Sequence, residues 1–195
     1  MTNPRFRRLS CLLVAALALA GPAASHAQSI DADVTRALET FYPGGATEPA
    51  AFMALDTAPI DQFVGRWVPT NLVFRDAPYD ADTAADVCGQ VPLVIARDGA
   101  FGFTVTRTRG GAATGAVVTY TPVGGTTFAR TADLDGFAAF LFPNRPLSEM
   151  PPQVIAGILT GPDMHGYALV NLFAPDVLVI QGIGSPPLVL ARCTG

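Results

Sequence analysis

From Val64 onward, short apolar runs are broken every few residues by turn chemistry, and this rhythm constrains the fold more than any other feature. The breaks are Asp98-Gly99, Gly110-Gly111, Gly124-Gly125, Asp135-Gly136, Pro175-Asp176 and Gly184-Ser185-Pro186. Glycine reaches positive φ and proline pre-sets its own φ, so each break reverses the chain at low cost. Between them the sequence predicts strands over 67–74, 88–97, 100–108, 116–122, 126–133, 137–142, 166–173, 177–181 and 188–193. Short strands joined by tight turns form an antiparallel meander, which buries its apolar face by closing as a barrel or folding as a sandwich. The expected fold class is mainly β: an antiparallel meander closed as a barrel of about eight strands. One helix is expected over 149–160. There Ser148-Glu149 and Pro151-Pro152 precede Val154, Ile155, Ile158 and Leu159 at helical spacing, and Gly161-Pro162 stops the run.

The chain before the strands reads in two parts. Arg5, Arg7 and Arg8 precede an apolar run over 12–20, and Ser25-His26-Ala27 is a small-x-small site. That order predicts a secretory signal peptide, residues 1–27, cleaved after Ala27, and the run is too short to span a membrane. The expected location is the periplasm or the extracellular medium, with no stable membrane insertion after cleavage. Residues 28–62 are expected to form short helices packing on a barrel domain of residues 63–195. Ser29 or Asp31 would cap a first helix carrying Val34, Ala37, Leu38 and Phe41, which Pro43-Gly44-Gly45 ends. A second helix is expected over 49–55, and a third from Pro59 toward Phe63.

Charge and cysteine usage narrow the chemistry. Removing 27 of 195 residues leaves 168, enough for one domain with a sizeable core. The leader takes three of the 12 basic residues and none of the 16 acidic ones, leaving 9 against 16 and a net charge of −7. A net-acidic chain without a basic cluster is a poor partner for nucleic acid or anionic membrane. Cys11 leaves with the leader, so Cys88 and Cys193 remain. An even count in an exported protein reads as one disulfide, and the absence of C-x-x-C spacing argues against a redox-active pair.

No lysine occurs in the chain, which excludes a phosphate-binding P-loop, Schiff-base chemistry and a Ser–Lys dyad. His165 is the one histidine after cleavage, so a His-rich metal site within one chain is excluded. It reads as a solvent-facing turn residue. Ser29, Ser148 and Ser185 lie in no Gly-x-Ser-x-Gly elbow. Asp76, Asp80, Asp82 and Asp86 supply four carboxylates that could offer oxygens to Ca²⁺, but the run lacks the glycine and terminal glutamate of an EF-hand. A solvated loop is the more ordinary reading, and no metal or other cofactor is expected. Arg107 and Arg109 share a strand face with Phe103 and Val105. If that face is internal they sit at a barrel mouth and could bind an anion; at a solvent-facing strand end they are surface charges, which is the commoner case. Phe137, Phe140, Leu141 and Phe142 read as core.

Gly65-Arg66-Trp67 opens the first predicted strand, and Arg192 lies near the end of the last. A Gly-x-Trp with a late-strand arginine over the indole resembles the calycin group of small barrels, the lipocalins and their relatives. The resemblance implies that Trp67 and Arg192 close one end of an eight-stranded barrel. Lipocalin motifs between the two ends are not recognisable here, and the helix falls before the last three strands.

Alternation adds a lining set. Leu188 and Leu190 face away from Cys193, and Val91, Leu93 and Ile95 face away from Cys88. If the disulfide joins neighbouring strands, Val91, Leu93, Ile95, Leu188 and Leu190 line the opposite, internal side together. The expected function is a non-enzymatic exported binding domain for a small apolar ligand or a protein partner. The alternative is a periplasmic protease inhibitor of calycin-like type using residues 28–60, and a minor one is a small enzyme relying on Asp80, Asp82 or His165.

Overall fold

The computed structural model describes residues 22–45, 59–74, 77–90, 92–107, 115–161 and 164–194. Eight antiparallel strands close on themselves in sequence order. They are β1 (Gly65–Pro69), β2 (Leu93–Asp98), β3 (Gly102–Arg107), β4 (Ala116–Gly124), β5 (Thr127–Ala132), β6 (His165–Ala174), β7 (Val177–Gly182) and β8 (Leu188–Arg192). Closure is made by β1, which pairs with β2 through Trp67↔Leu93 and with β8 through Trp67↔Arg192. The hairpins β2–β3, β4–β5 and β6–β7 all turn at one end, where the chain also enters β1. Every longer connection lies at the opposite end. Gly99 and Gly125, at φ +66° and +55°, make two of these turns in the left-handed conformation that only glycine adopts freely.

Among the described residues five α-helices decorate the barrel: α1 (Pro22–Phe41), α2 (Thr70–Val73), α3 (Ala81–Gln90), α4 (Leu134–Leu141) and α5 (Pro152–Leu159). α1 begins before the expected cap at Ser29 or Asp31 and runs across the expected cleavage position. Its Ile30, Val34, Ala37 and Phe41 recur at helical spacing and pack on the outer face of β7 and β8, against Val177, Val179, Val189 and Ala191. The helix expected over 49–55 lies outside the described residues. The one expected after Pro59 is a single 3-10 turn, Ile60–Gln62.

Three of the expected strands are corrected. The strand over 67–74 stops at Pro69, which has no N–H to continue a ladder. α2 follows, and the Asn71 side chain takes over the pairing with β8: Val189 N–H donates to Asn71 Oδ1 at 3.1 Å, and Asn71 Nδ2 donates to the Pro187 carbonyl at 3.1 Å. The strand over 88–97 starts only at Leu93, because Cys88 belongs to α3. The expected solvated loop through Asp80, Asp82 and Asp86 is in part this same helix. Asp80 precedes it and accepts from the Thr83 N–H at 2.8 Å, the geometry of an N-cap, while Ala84 and Cys88 bury one side. The strand over 137–142 is helical as well. Asp133 caps α4 by accepting from the Gly136 N–H at 2.6 Å, and Leu134, Phe137 and Ala138 share its packed face. The helix expected over 149–160 is present as a 3-10 turn, Leu147–Glu149, followed by α5 with Pro152 in its first turn.

The disulfide Cys88–Cys193 forms, spanning 105 residues of chain. It does not join neighbouring strands. It ties α3 to the residue after β8, and the Arg66 side chain donates to the Cys88 carbonyl beside it. No helix among the described residues is long and apolar enough to cross a membrane.

Candidate binding site in the barrel

One end of the barrel is sealed by side chains. Trp67 is fully buried, and its indole N–H donates to the Phe63 carbonyl at 2.8 Å. The Arg192 guanidinium lies 4.2 Å from the indole ring centre. It donates to the carbonyls of Val64 (3.1 Å) and Gln62 (2.5 Å) and pairs with Asp176 at 3.0 Å. Gly65 opens this corner. A Cβ there would come within 3.0 Å of the Arg192 guanidinium, and its φ of +143° suits glycine. Arg97 adds an ion pair with Asp61 at the same end.

Alternation sorts the interior. Leu93, Ile95 and Leu190 pack in the interior cluster with Trp67, and Leu188 packs against it. Val91 lies outside the described residues. The outer parity of β8, Val189 and Ala191, faces α1 instead. Near the sealed end the interior is aromatic: Phe63, Phe103, Tyr120 and Phe128 meet ring to ring, Phe103 stacking on Tyr120 with ring centres 4.7 Å apart. On β4 to β7 the inward positions toward the other end shrink to Ala116, Ala132, Gly166, Ala168 and Gly182, whereas β2 and β8 keep Leu93 and Leu188 there. Phe137, Ala138, Met150, Ile158 and Met164 form a cap of α4, α5 and their flanks over this end, meeting the interior through Ala116 and Ala132. A barrel of eight strands is wide enough either to be filled by its own side chains or to hold one small ligand.

Beyond Arg97 and Arg192 at the sealed end, two cationic residues among the described ones occupy inward positions. Arg107 follows Phe103 and Val105 on the inner face of β3 and is half-buried at the capped end. Its position is internal, against the surface reading; Arg109 lies outside the described residues. Arg130 sits between Phe128 and Ala132 on the inner face of β5 and is only 5% exposed. Its side chain crosses β6, where the facing residues are Gly166 and Ala168, and ends over β7. A Cβ on Gly182 would overlap the guanidinium. Sequence reasoning passed over Arg130. The signal was present: Phe128, Arg130 and Ala132 share a parity, as do Leu178, Ile180 and Gly182 across the barrel.

The remaining candidates lie elsewhere. Asp80 is held below the ordinary carboxylate range by the Thr83 hydroxyl and N–H that it accepts from. Asp82 and Asp86 are exposed on α3, and Asp76 lies outside the described residues. Among the described residues no three His, Cys, Asp or Glu side chains gather as a metal site. His165 is exposed at the start of β6. Ser148 and Ser185 sit in connecting segments, and nothing is described of the Ser29 side chain. No family model, curated protein or solved structure matches the chain.

Proposed function

We propose that this protein is an exported, non-enzymatic binding barrel of calycin-like type, which holds a small apolar molecule in the half of the barrel beneath α4 and α5. The observation that carries this reading is the gradient of side-chain size inside the barrel. Bulky aromatic rings fill the end closed by Trp67 and Arg192, while Ala116, Ala132, Gly166, Ala168 and Gly182 line the β4–β7 side of the capped end, opposite Leu93 and Leu188. A barrel built only for a filled core gains stability from large apolar side chains at every inward position, since each adds about 1.5–3 kcal/mol of burial. Small residues under a separate helical cap favour a compartment for a guest. Export is supported by the leader-like sequence of residues 1–27 and by the Cys88–Cys193 disulfide, which an oxidising compartment maintains.

Native mass spectrometry of disulfide-bonded protein purified from the periplasm tests this reading. The expected result is an added mass released by organic solvent, with the extract identifying the class of guest. A clean apo mass, together with no uptake from an added mixture of lipids and small aromatics, would sink it.

A further inference from the structure

We infer that the sealed end of the barrel docks on a zwitterionic lipid surface through two neighbouring hairpin tips, led by Phe101 and Val123. The β2–β3 turn ends in Phe101, which is 72% exposed although Phe103, two residues on, is fully buried. The β4–β5 turn carries Val123, 59% exposed, on a bulge between Pro122 and Gly124 that takes it out of the ladder. The tips lie side by side. β3 pairs with β4 as far as Phe103↔Tyr120, and a Cβ on Gly102 would come within 3.0 Å of the Tyr120 carbonyl. The β2–β3 tip is also braced, so the exposure of Phe101 is built into the turn. Gly99 turns at φ +66°, and Gly102 has no room for a side chain, since a Cβ would lie 2.7 Å from the Asp98 carbonyl. Arg97, paired with Asp61, donates to the Ala100 carbonyl at 2.9 Å.

The shape and charge of these tips fit lipid. Apolar side chains on convex turns need a surface that yields around them; a lipid interface does so, whereas a protein partner must supply a matching pocket. Residues 99–102 and 121–127 carry no charge, and the hydroxyls of Thr121 and Thr127 adjoin the apolar tips, where they can meet head groups. At the base of the tips stand Asp61, Arg97 and Asp98, charges of both signs, as a zwitterionic head-group layer also carries. An anionic surface is disfavoured: the formal net charge is −4, and Arg97 and Arg192 at this end are each paired with an aspartate. Two apolar anchors give weak, reversible attachment. Docking by the sealed end leaves the α4–α5 cap, at the opposite end, in water.

The test is co-sedimentation of the disulfide-bonded protein, purified from the periplasm, with sucrose-loaded phosphatidylcholine vesicles. It is compared with Phe101→Ser, with the double variant Phe101→Ser/Val123→Ser, and with Ile183→Ser, an exposed apolar residue on the β7–β8 connection at the opposite end. The unmodified protein should sediment with the vesicles. Phe101→Ser should lower its partition coefficient roughly tenfold or more. The double variant should stay in solution, and Ile183→Ser should bind like the unmodified protein. In Phe101→Trp the new indole emission should shift to the blue on vesicles and be quenched by brominated phosphatidylcholine. No sedimentation of the unmodified protein, binding unchanged in the double variant, or binding only after phosphatidylglycerol is added would each overturn the lipid docking. So would a vesicle-free dimer that the double variant abolishes, because the tips would then join two copies of the chain. Sedimentation of the unmodified protein and the Phe101→Trp signal decide the matter even if a serine variant fails to fold.

Discussion

Arg192→Met should loosen the sealed end of the barrel by about 3 kcal/mol. The side chain is about three-quarters buried, with 26% exposure. Its guanidinium makes two close charge-assisted hydrogen bonds, to the carbonyls of Val64 and Gln62, and a long one of 3.4 Å to the Pro175 carbonyl that adds little. Each is worth roughly 1.5 kcal/mol at the lower end of the range for charged donors, and the partly solvated surroundings argue for that end. The cation–π contact with Trp67 at 4.2 Å adds about 1 kcal/mol. The ion pair with Asp176 adds under about 1 kcal/mol, because water still reaches it. Methionine restores some apolar cover over the indole and releases side-chain entropy, which brings the sum back to about 3 kcal/mol. For a domain of this size that is a fall in Tm of roughly 6–12 °C. Equilibrium urea unfolding followed by Trp67 fluorescence, with the disulfide kept oxidised, reads the change directly. Repeating the substitution in a Trp67→Phe background, read by circular dichroism, should recover about 1 kcal/mol of coupling. A loss below about 1 kcal/mol for Arg192→Met would refute the reasoning. It would show that the strands close the barrel without their arginine clasp.

Reducing Cys88–Cys193, or replacing both residues by serine, should cost about 4–5 kcal/mol by loop-closure entropy over the 105-residue separation, seen as a lower urea midpoint; two free thiols in oxidised material would contradict the bond. Asn71→Ala removes the hydrogen bonds to Val189 N–H, the Pro187 carbonyl and the Tyr42 hydroxyl and should cost about 2–3 kcal/mol. Faster amide exchange at Val189 would place that loss at the β1–β8 seam. The Tyr79 hydroxyl is pushed up to about 12, first by burial and then by the carboxylates of Asp31 and Asp80. The unfolded chain ionises this group from about 10.0 while the folded one keeps its proton, so stability falls as pH rises from 10.0 to about 12. Tyr79→Phe should flatten that decline in urea titrations, and an equal slope in both proteins would remove Tyr79 as its source.

Strand positions were legible in the sequence wherever a turn residue and a parity pattern agreed. Gly124-Gly125 and Pro175-Asp176 mark hairpins, and Leu188, Val189, Leu190 and Ala191 alternate cleanly between interior and α1. The errors fell where a single capping residue outweighs composition. Asp80 and Asp133 each satisfy an N–H of a first helical turn: the first makes α3 from a stretch read as a solvated loop running into a strand at Cys88, the second makes α4 from a stretch read as a strand. The candidate site was less legible than the fold. An arginine reads alike on either face of a strand until the face is known, and the more ordinary surface reading then prevails.

The sequence by itself determined that this chain forms a mainly β meander and that its cysteines pair, because turn propensity, two-residue alternation and cysteine count are local or compositional properties. A resemblance carried by Gly65-Arg66-Trp67 and Arg192 implied an end-closing pair, beside the plainer reading of Trp67 as core and Arg192 as a surface charge. Only the tertiary structure decided that the disulfide joins a helix to a strand end, that α4 and α5 cap the barrel, and that Arg130 reaches across β6 to lie over Gly182. Each of these depends on which residues from distant parts of the chain meet when the sheet closes. Barrel closure sets that register, and no short window of sequence contains it.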